Sequence, residues 1–268
     1  MIPTRPPVVA GRFYPDDPEA LADVTSRLVV ADQPPSAAIG AVAPHASYVY
    51  SGALAGRVWA RLEVPPRVVL ICPNHTGLGS SRAIWTRGEW TSPGGGLAVD
   101  EPFAHRIAGL AGLRADTDAH RAEHAIEVQL PLLRARRADA AIVPICLAGL
   151  TSSECEAIGR GLAAAIQGLG ERVLILASTD MSHYISADEA EERDHLALDR
   201  LRALDPVGLY EVVRRNRITM CGVIPTTVML HAALALGARE AIDVGYTHSG
   251  TVSGDTRRVV GYAGALVR

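Results

Sequence analysis

The sequence contains no lysine, because all 26 of its Lys and Arg residues are arginines. A chain without a lysine amine cannot form a lysine Schiff base, cannot use lysine as a general base and cannot bind phosphate through a Walker-type lysine. The sequence also lacks a G-x-S-x-G elbow, a Walker loop and a paired C-x-x-C. Serine hydrolases, phosphate-loop enzymes and zinc ribbons therefore lack their basic parts here.

Long apolar runs and a strong excess of one charge are missing as well. No stretch approaches the roughly 18 to 20 apolar residues that span a bilayer, and Met1–Pro15 has no apolar core of signal-peptide length. With 29 acidic and 26 basic residues, the net charge of −3 gives no broad attraction to nucleic acid or anionic lipid. We therefore expect a cytoplasmic protein whose partner is a small molecule or a peptide, with no nucleic-acid or membrane partner.

Short apolar runs alternate with longer amphipathic segments, which is typical of βα units. Hydrophobic residues make up 48% of the 268 residues, enough for one extensive core. We predict a single α/β domain over residues 1–268, with a mostly parallel or mixed central sheet flanked by helices on both faces. The strand candidates are six short apolar runs: Ile39–Ala43, Val68–Cys72, Ala140–Ile145, Val173–Ala177, Ala241–Tyr246 and Val259–Leu266.

Several segments carry signals that start helices, either a capping box or a proline suited to the first turn. The capping boxes are Thr151 with Glu154 and Ser186 with Glu189, and the prolines are Pro102, Pro206 and Pro225. The segment Thr226–Leu236 is predicted to be helical.

Three apolar runs are each followed by a histidine, namely His45, His75 and His183. The carboxyl ends of parallel strands lie along one edge of a sheet, where loops form the ligand crevice, so these histidines are expected to converge. A single one could be an ordinary loop residue bonded to a carbonyl, but three at equivalent positions favour a metal site. Neutral imidazole suits iron, copper, nickel or zinc, and Asp180 could orient a ring or join the ligands.

Four cysteines are scattered too widely to form a disulfide framework: Cys72, Cys146, Cys155 and Cys221. Cys221 lies just ahead of the predicted helix Thr226–Leu236, and we expect the helix start to lower its pKa. Because thiolate is the form that binds metals, Cys221 is the best candidate of the four. The other three are expected to be buried or surface thiols without a role.

The segment His120-Arg121-Ala122-Glu123-His124 matches the H-x-x-E-H pattern of inverted zinc peptidases. It predicts two histidines on one helical face. A zinc peptidase also needs a downstream acidic ligand, for which Glu189, Glu191 and Glu192 are only generic candidates. This hypothesis therefore rests on a short match with its third ligand undetermined.

Seven ordered blocks resemble the Memo family, also called AmmeMemoRadiSam system protein B, over nearly the whole chain. The blocks are Gly11-Arg12-Phe13-Tyr14-Pro15, Pro44-His45-Ala46-Ser47-Tyr48 with Tyr50-Ser51-Gly52, Pro73-Asn74-His75-Thr76-Gly77, Glu123-His124-Ala125-Ile126-Glu127, Ser178-Thr179-Asp180-Met181-Ser182-His183, Met220-Cys221-Gly222 and Val260-Gly261-Tyr262-Ala263. Ser47 stands where the family usually has glycine, and Thr179 where it usually has serine. Neither departure removes a proposed ligand.

The resemblance implies a fold similar to that of class III extradiol dioxygenases, non-heme iron enzymes that open catechol rings with oxygen. It implies His45, His75 and Cys221 as ligands of one iron or copper ion. Asp180 and His183 would line the same vestibule, with His183 matching the acid–base histidine of the dioxygenases. Those enzymes have a carboxylate as the third ligand, and a thiolate in its place gives a softer site, which argues against ring opening.

The resemblance also makes His120 and His124 part of a family block, with a role around the ligands as one interpretation. His248 follows another predicted strand and is either a pocket residue or a plain loop histidine. The family's gene neighbours imply functional links to a radical-SAM protein and to a protein with an AMMECR-type domain.

The leading hypothesis is a metal-dependent oxidoreductase in which His183 moves protons and Asp180 orients it. One alternative is a non-enzymatic module that binds a peptide or sequesters a metal. The zinc peptidase is the other.

Overall fold

A nine-stranded mixed sheet lies at the centre of the molecule. The structure is a computed structural model and describes residues 3–268. Along the chain the strands are β1 (Thr4–Arg5), β2 (Gly40–Ala43), β3 (Arg67–Pro73), β4 (Arg82–Ile84), β5 (Glu89–Ser92), β6 (Gly95–Ala98), β7 (Arg114–Ala115), β8 (Ala141–Leu147), β9 (Val173–Ser178), β10 (His183–Ile185), β11 (Ala241–His248) and β12 (Val259–Val267). The central sheet has the order β10-β12-β2-β9-β3-β8-β4-β7, with β11 also paired to β12, and β1, β5 and β6 form a separate small sheet.

Helices cover both faces of the central sheet. Within residues 3–268 they are α1 (Pro18–Leu28), α2 (Ala53–Arg61), α3 (Glu101–Ala111), α4 (Asp118–Arg121), α5 (Gln129–Arg136), α6 (Ser152–Gln167), α7 (Ala187–Arg202), α8 (Pro206–Arg215), α9 (Val223–Ala235) and α10 (Gly250–Ser253). Helix α9 packs on β2, β3 and β9, with α6 and α8 against it and α3 against α6. Helix α2 packs on β2, β11 and β12, with α1 and α5 beside it.

The four central strands, β2, β9, β3 and β8, run parallel, while β12 and β4 flank them as antiparallel neighbours. Every residue of β2 and β9 is buried, and so is every residue of β3 and β8 after the first. Strands covered by helices on both faces need such continuous apolar runs. The predicted α/β class, with a mixed sheet between two helical layers, is confirmed.

All six predicted strands are present, with ends that differ by one or two residues. The short strands β1, β4 to β7 and β10 were not predicted. Segments of two to four residues carry too little periodicity for a sequence pattern to reveal them. Their pairing is decided by neighbours distant in sequence, such as β8 for β4.

The predicted helix starts are also present, with two differences. Thr151 makes both halves of a capping box, whereas at Ser186 the hydroxyl accepts from the Glu189 amide while the Glu189 carboxylate pairs with Arg193. Helix α9 begins at Val223, ahead of the predicted start. The predicted prolines all lie in first turns: Pro102 in α3, Pro206 in α8 and Pro225 in α9. No helix within residues 3–268 is long and apolar enough to cross a membrane.

A buried ion pair ties the first strand to the turn that precedes α5. The Arg5 guanidinium pairs with the Glu127 carboxylate, and their side chains are 1% and 0% exposed. Glu127 also accepts hydrogen bonds from the amides of Val8 and Val9 at 2.9 Å and from the Tyr14 hydroxyl at 2.7 Å. The carboxylate thus holds the N-terminal segment against the rest of the molecule.

Replacing Arg5 with methionine should lower the free energy of unfolding by about 3 to 5 kcal/mol, because the Glu127 carboxylate is then buried without its cation. Arg27→Met is the matched control: Arg27 pairs with Asp23 on the exposed side of α1, and its loss should cost less than about 1 kcal/mol. Urea unfolding followed by circular dichroism measures both variants. If Arg5→Met loses no more unfolding free energy than Arg27→Met, burial of the Glu127 carboxylate does not require the Arg5 cation.

Candidate metal centre

Three neighbouring parallel strands end on one side of the sheet, and their loops carry the polar residues singled out in the sequence. Strands β2, β9 and β3 lie side by side in that order, with Ala43 in register with Ser178. His45 and His75 follow the ends of β2 and β3, and their ring centroids are 5.3 Å apart. The predicted convergence is confirmed for His45 and His75.

The hydrogen bonds behind the His45 ring select one tautomer. Its Nδ1 lies 2.9 Å from the Ser178 hydroxyl oxygen. That hydroxyl donates its one proton to the Ala125 carbonyl at 2.8 Å and accepts a hydrogen bond from the side-chain amide of Gln129 at 3.1 Å. It can therefore only accept from His45, so Nδ1 carries the proton and Nε2 keeps a free lone pair. Burial, with smaller effects from His124 and the other nearby histidines, holds the pKa of His45 well below its usual value and keeps the ring neutral.

A buried carboxylate selects the same tautomer for His75. The His75 Nδ1 lies 2.9 Å from Glu123 Oε1, and the His75 amide donates to Oε2 at 2.6 Å. A carboxylate accepts hydrogen bonds, so Nδ1 donates and Nε2 is left for a ligand. Burial lowers the pKa of His75, but the hydrogen bond to Glu123 and its charge outweigh that effect and the net pKa is raised. The side chain is 33% exposed, so solvent reaches this ring.

Cys221 reaches the same place from the loop before α9. Its sulfur accepts a hydrogen bond from the Asp180 amide at 3.2 Å and lies 3.4 Å from His45 Nε2. The next residue, Gly222, lets the start of α9 approach β9 closely. Its amide donates to Thr179 Oγ1 at 2.9 Å, and a Cβ at this position would lie 2.3 Å from the Thr179 Cβ.

The expectation that the helix start lowers the pKa of Cys221 is wrong. Burial raises the pKa of this thiol well above its usual value, and the charge of Asp180 raises it further. Hydrogen bonds from the backbone and from Thr179 offset the rise only in part. The thiol is therefore protonated in the protein without metal, and a metal ion that binds the sulfur must displace this proton.

The donor atoms of His45, His75 and Cys221 all lie within 4.8 Å of one another. Two imidazole nitrogens, which bind a metal in their unprotonated form, and a sulfur that loses its proton are donors that suit transition metals. Each imidazole is also held by a hydrogen bond at its other nitrogen, as is usual for histidines that bind metals. The three residues therefore fit a single metal ion.

Asp180 lies behind the His45 loop. Its carboxylate accepts from the His45 amide at 2.8 Å and also from the Ala46 amide. Burial raises the pKa of Asp180 to about 7, although these amides and His75 oppose the rise. The carboxyl is thus poised to gain or lose a proton near neutral pH.

His183 is oriented by Thr219, and the prediction that Asp180 orients it is wrong. The His183 amide donates to Thr219 Oγ1 at 2.7 Å, and Nδ1 lies 3.0 Å from the Thr219 carbonyl. A carbonyl only accepts, so Nδ1 carries the proton and Nε2 is free to accept one. Burial lowers the pKa of His183, which keeps the ring neutral near pH 7. Asp180 is engaged by the His45 loop, which explains why it does not hold His183.

The H-x-x-E-H segment does not form one helical face. Helix α4 ends at Arg121, and the Arg5 guanidinium donates to the carbonyls of His120 and Glu123. In a longer helix the His120 carbonyl would accept the amide of His124; here it accepts the Glu123 amide at 3.2 Å and the Arg5 guanidinium at 3.3 Å. The His120 ring is fully buried, whereas the His124 ring lies 5.4 Å from that of His45. These separate surroundings contradict the zinc peptidase hypothesis.

Sequence analysis did not assign the residues that orient the two ligand histidines. Glu123 and Ser178 both lie within the family blocks, so a signal existed, but their partners belong to distant segments. His124, left with an uncertain role, stacks on the ring of His75 with centroids 4.9 Å apart. His248 bonds within its own turn, where its carbonyl accepts from Thr251 at 2.6 Å.

Comparisons with known proteins agree with the resemblance seen in the sequence. A profile described as Memo-like protein matches residues 5–266. A MEMO1 family protein of Methanopyrus kandleri is 39% identical, with 98% of this chain and 99% of that protein covered. MEMO1 family proteins of Aquifex aeolicus and Methanosarcina barkeri are 37% and 40% identical, with 98% of this chain and 98% and 99% of those proteins covered. The similarity therefore includes every loop of the metal centre.

Asp180→Asn should change how the stability of the metal-free protein depends on pH. The folded-state pKa of Asp180, about 7, lies above the unfolded value of about 3.9. The folded protein therefore holds this proton, and its contribution to stability is lost as pH rises from about 4 to about 7. Relative to wild type, the variant should gain on the order of 2 kcal/mol between about pH 5 and about pH 7.5.

Urea unfolding at both pH values tests this expectation. Asp188→Asn, at an exposed position on α7, is the control and should follow wild type. If Asp180→Asn also follows wild type across this range, the proton on Asp180 is not linked to folding.

Proposed function

The chain belongs to the Memo family, and we propose that it is a metal-dependent oxidoreductase in which His45, His75 and Cys221 bind one iron or copper ion. One observation carries the proposal. Two imidazoles, each with its Nδ1 already engaged, and one thiol bring their donor atoms within 4.8 Å of one another. Polar side chains that hydrogen bonds hold in place, and whose remaining donor atoms lie close together, suit a bound ion.

The metal, when bound, would supply electron transfer to or from oxygen or another small molecule. Ser178 and Glu123 keep both imidazoles in the orientation that ligation requires, and the loss of either partner frees a ring to rotate. Cys221 replaces the carboxylate of the extradiol dioxygenases, and a thiolate donates more electron density to soft ions such as copper(I). This difference favours oxidation or reduction of a small molecule over opening of a catechol ring.

His183 is proposed to transfer protons. Its Nδ1–H is fixed on the Thr219 carbonyl, so Nε2 is the nitrogen that accepts a proton from a substrate. A ring that burial keeps neutral is ready to act as a base at neutral pH. Asp180 is proposed to hold a second proton, since its pKa of about 7 allows both protonation states.

A non-enzymatic role in peptide binding or metal sequestration is a second candidate, and exposed apolar side chains favour it. Val49 and Tyr50 follow His45 closely in sequence, as Leu78 does His75, and these three side chains are 70%, 40% and 54% exposed. Apolar residues that remain exposed beside polar loops are typical of surfaces that bind a ligand or a protein. The links to a radical-SAM protein and to a protein with an AMMECR-type domain stay predictions.

Protein purified without oxygen should contain at least one iron or copper ion per chain, measured by elemental mass spectrometry. The triple variant His45→Ala, His75→Ala, Cys221→Ala should contain nearly none, because all three donors are gone. The matched control replaces two histidines and a cysteine on helices, as His105→Ala, His195→Ala, Cys155→Ala, and should keep the wild-type content. A wild type that stays empty after both metals are added would end the metal hypothesis.

Metal-loaded wild type should consume oxygen with at least one electron donor from a panel of catechols, other ortho-diphenols and thiols. His183→Gln should retain the metal and slow oxygen uptake roughly 10²-fold to 10⁴-fold, the usual contribution of a general base. His195→Gln, at a half-buried position on α7, should behave as wild type. An unchanged rate in His183→Gln would exclude His183 as the base, and no uptake with any donor would favour the binding module.

A further inference from the structure

A second group of metal donors lies directly beside the first. The group consists of His75, Glu123 and His124, and its donor atoms also lie within 4.8 Å of one another. The Glu123 Oε1 atom is 2.9 Å from the Nδ1 atom of His75 and 3.4 Å from the Nδ1 atom of His124. Two ligands bound to one ion at about 2.0 to 2.2 Å with tetrahedral or octahedral angles are about 3 to 3.5 Å apart. Both distances from Glu123 Oε1 are close to that spacing.

The chain holds this group rigidly. Glu123 is 1% exposed, its Oε2 accepts the His75 amide, and its Oε1 accepts the Ala125 amide at 3.0 Å. The Arg5 guanidinium donates to the Glu123 carbonyl and so fixes the backbone as well. The His124 ring stacks on His75 and makes an edge contact with the ring of Phe13, so it is confined between them. Donors that cannot rotate away lose little entropy on binding an ion.

Solvent reaches the two histidines of the group but not its carboxylate. The side chains of His75 and His124 are 33% and 24% exposed, while the carboxylate of Glu123 is buried beneath them. An ion could therefore enter from water, keep water molecules as its remaining ligands and lie against a buried negative charge. The Glu123 carboxylate is the anion of this cluster. It is already ionised, so it does not have to lose a proton before it binds a cation.

We propose that His75, Glu123 and His124 form a second metal position, with His75 bound to the first ion through Nε2 and to the second through Nδ1. Binding at the second position replaces the proton between His75 Nδ1 and Glu123 Oε1, and that proton leaves to solvent. The donors, two imidazoles and one carboxylate, suit iron(II) or another divalent ion. The first position, with a thiolate, suits softer ions. The two positions thus differ in the metal they prefer.

This position extends the proposed function, because it shares His75 with the first one. The simpler alternative is that Glu123 only orients the two rings through hydrogen bonds. The two cases differ in one measurable quantity: the number of ions that each chain binds.

Titration of the metal-free protein with cobalt(II) tests the proposal. Elemental analysis after gel filtration counts the ions, and the thiolate-to-cobalt charge-transfer absorption reports only the position that contains Cys221. Wild type should bind two ions per chain and show this absorption. His124→Ala should bind one and retain the absorption, whereas Cys221→Ser should bind one and lose it. His105→Ala, at an exposed position on α3, is the control and should bind two.

His124→Phe is included because it keeps a ring stacked on His75 if the smaller alanine disturbs the fold, and it too should bind one ion. One ion in wild type and an unchanged single ion in both His124 variants would overturn the second position and leave the first intact. One ion without the thiolate absorption, lost in both His124 variants, would support the second position and refute the proposed function. No bound cobalt in wild type would overturn both.

Discussion

The parallel register of β2, β9 and β3 is the constraint on which the metal centre depends. It sets three carboxyl ends side by side, so that His45, Asp180 and His75 leave the sheet at the same level. Neighbouring loops can then form hydrogen bonds directly. The His45 amide donates to the Asp180 carboxylate, and the Asp180 amide donates to the Cys221 sulfur. A shift of β9 by one residue would turn Ser178 to the opposite face and remove the acceptor that fixes the His45 ring. The continuous apolar burial of these strands is what makes such a shift unfavourable.

Burial also determines the charge of the centre. It keeps His45 neutral, keeps the thiol of Cys221 protonated and raises the pKa of Asp180 toward neutrality. Glu123 is the exception, since several donors hold it in its charged form and its pKa is lowered. A pocket with little net charge avoids the large cost of burying ions without partners. The loss of the Cys221 proton would offset one positive charge of an entering cation.

The sequence predicted the parts of the structure that have a local signal. Six apolar runs revealed the strands, and the capping residue Thr151 revealed the start of α6. The positions of His45 and His75 after apolar runs predicted their convergence, because parallel strands end at one edge. Three site predictions failed because they depended on distant contacts. The segment from His120 was expected to place two histidines on one helical face, but the His120 carbonyl accepts the Glu123 amide and the guanidinium of Arg5, 115 residues earlier.

The second failure concerns Cys221. Its place before α9 indicated a lowered pKa, and the helix start is present, but burial by segments far away in sequence reverses the effect. The orienting partner of His183 could not be found for the same reason, because Thr219 belongs to another loop. Short sequence motifs thus identify the candidate ligands. The protonation state and orientation of the side chains depend on packing between segments that are distant in sequence.

The separation between the donors has a consequence during protein synthesis. Cys221 follows His45 by 176 residues. A ribosome that adds about 5 to 20 residues per second needs roughly 9 to 35 seconds to make that stretch. For that time the growing chain presents imidazoles without their thiol, and free imidazoles bind many divalent ions with little discrimination. The full donor set exists only after Cys221 has emerged and α9 has packed on β9, so the proposed metal could be selected only in the late stages of folding.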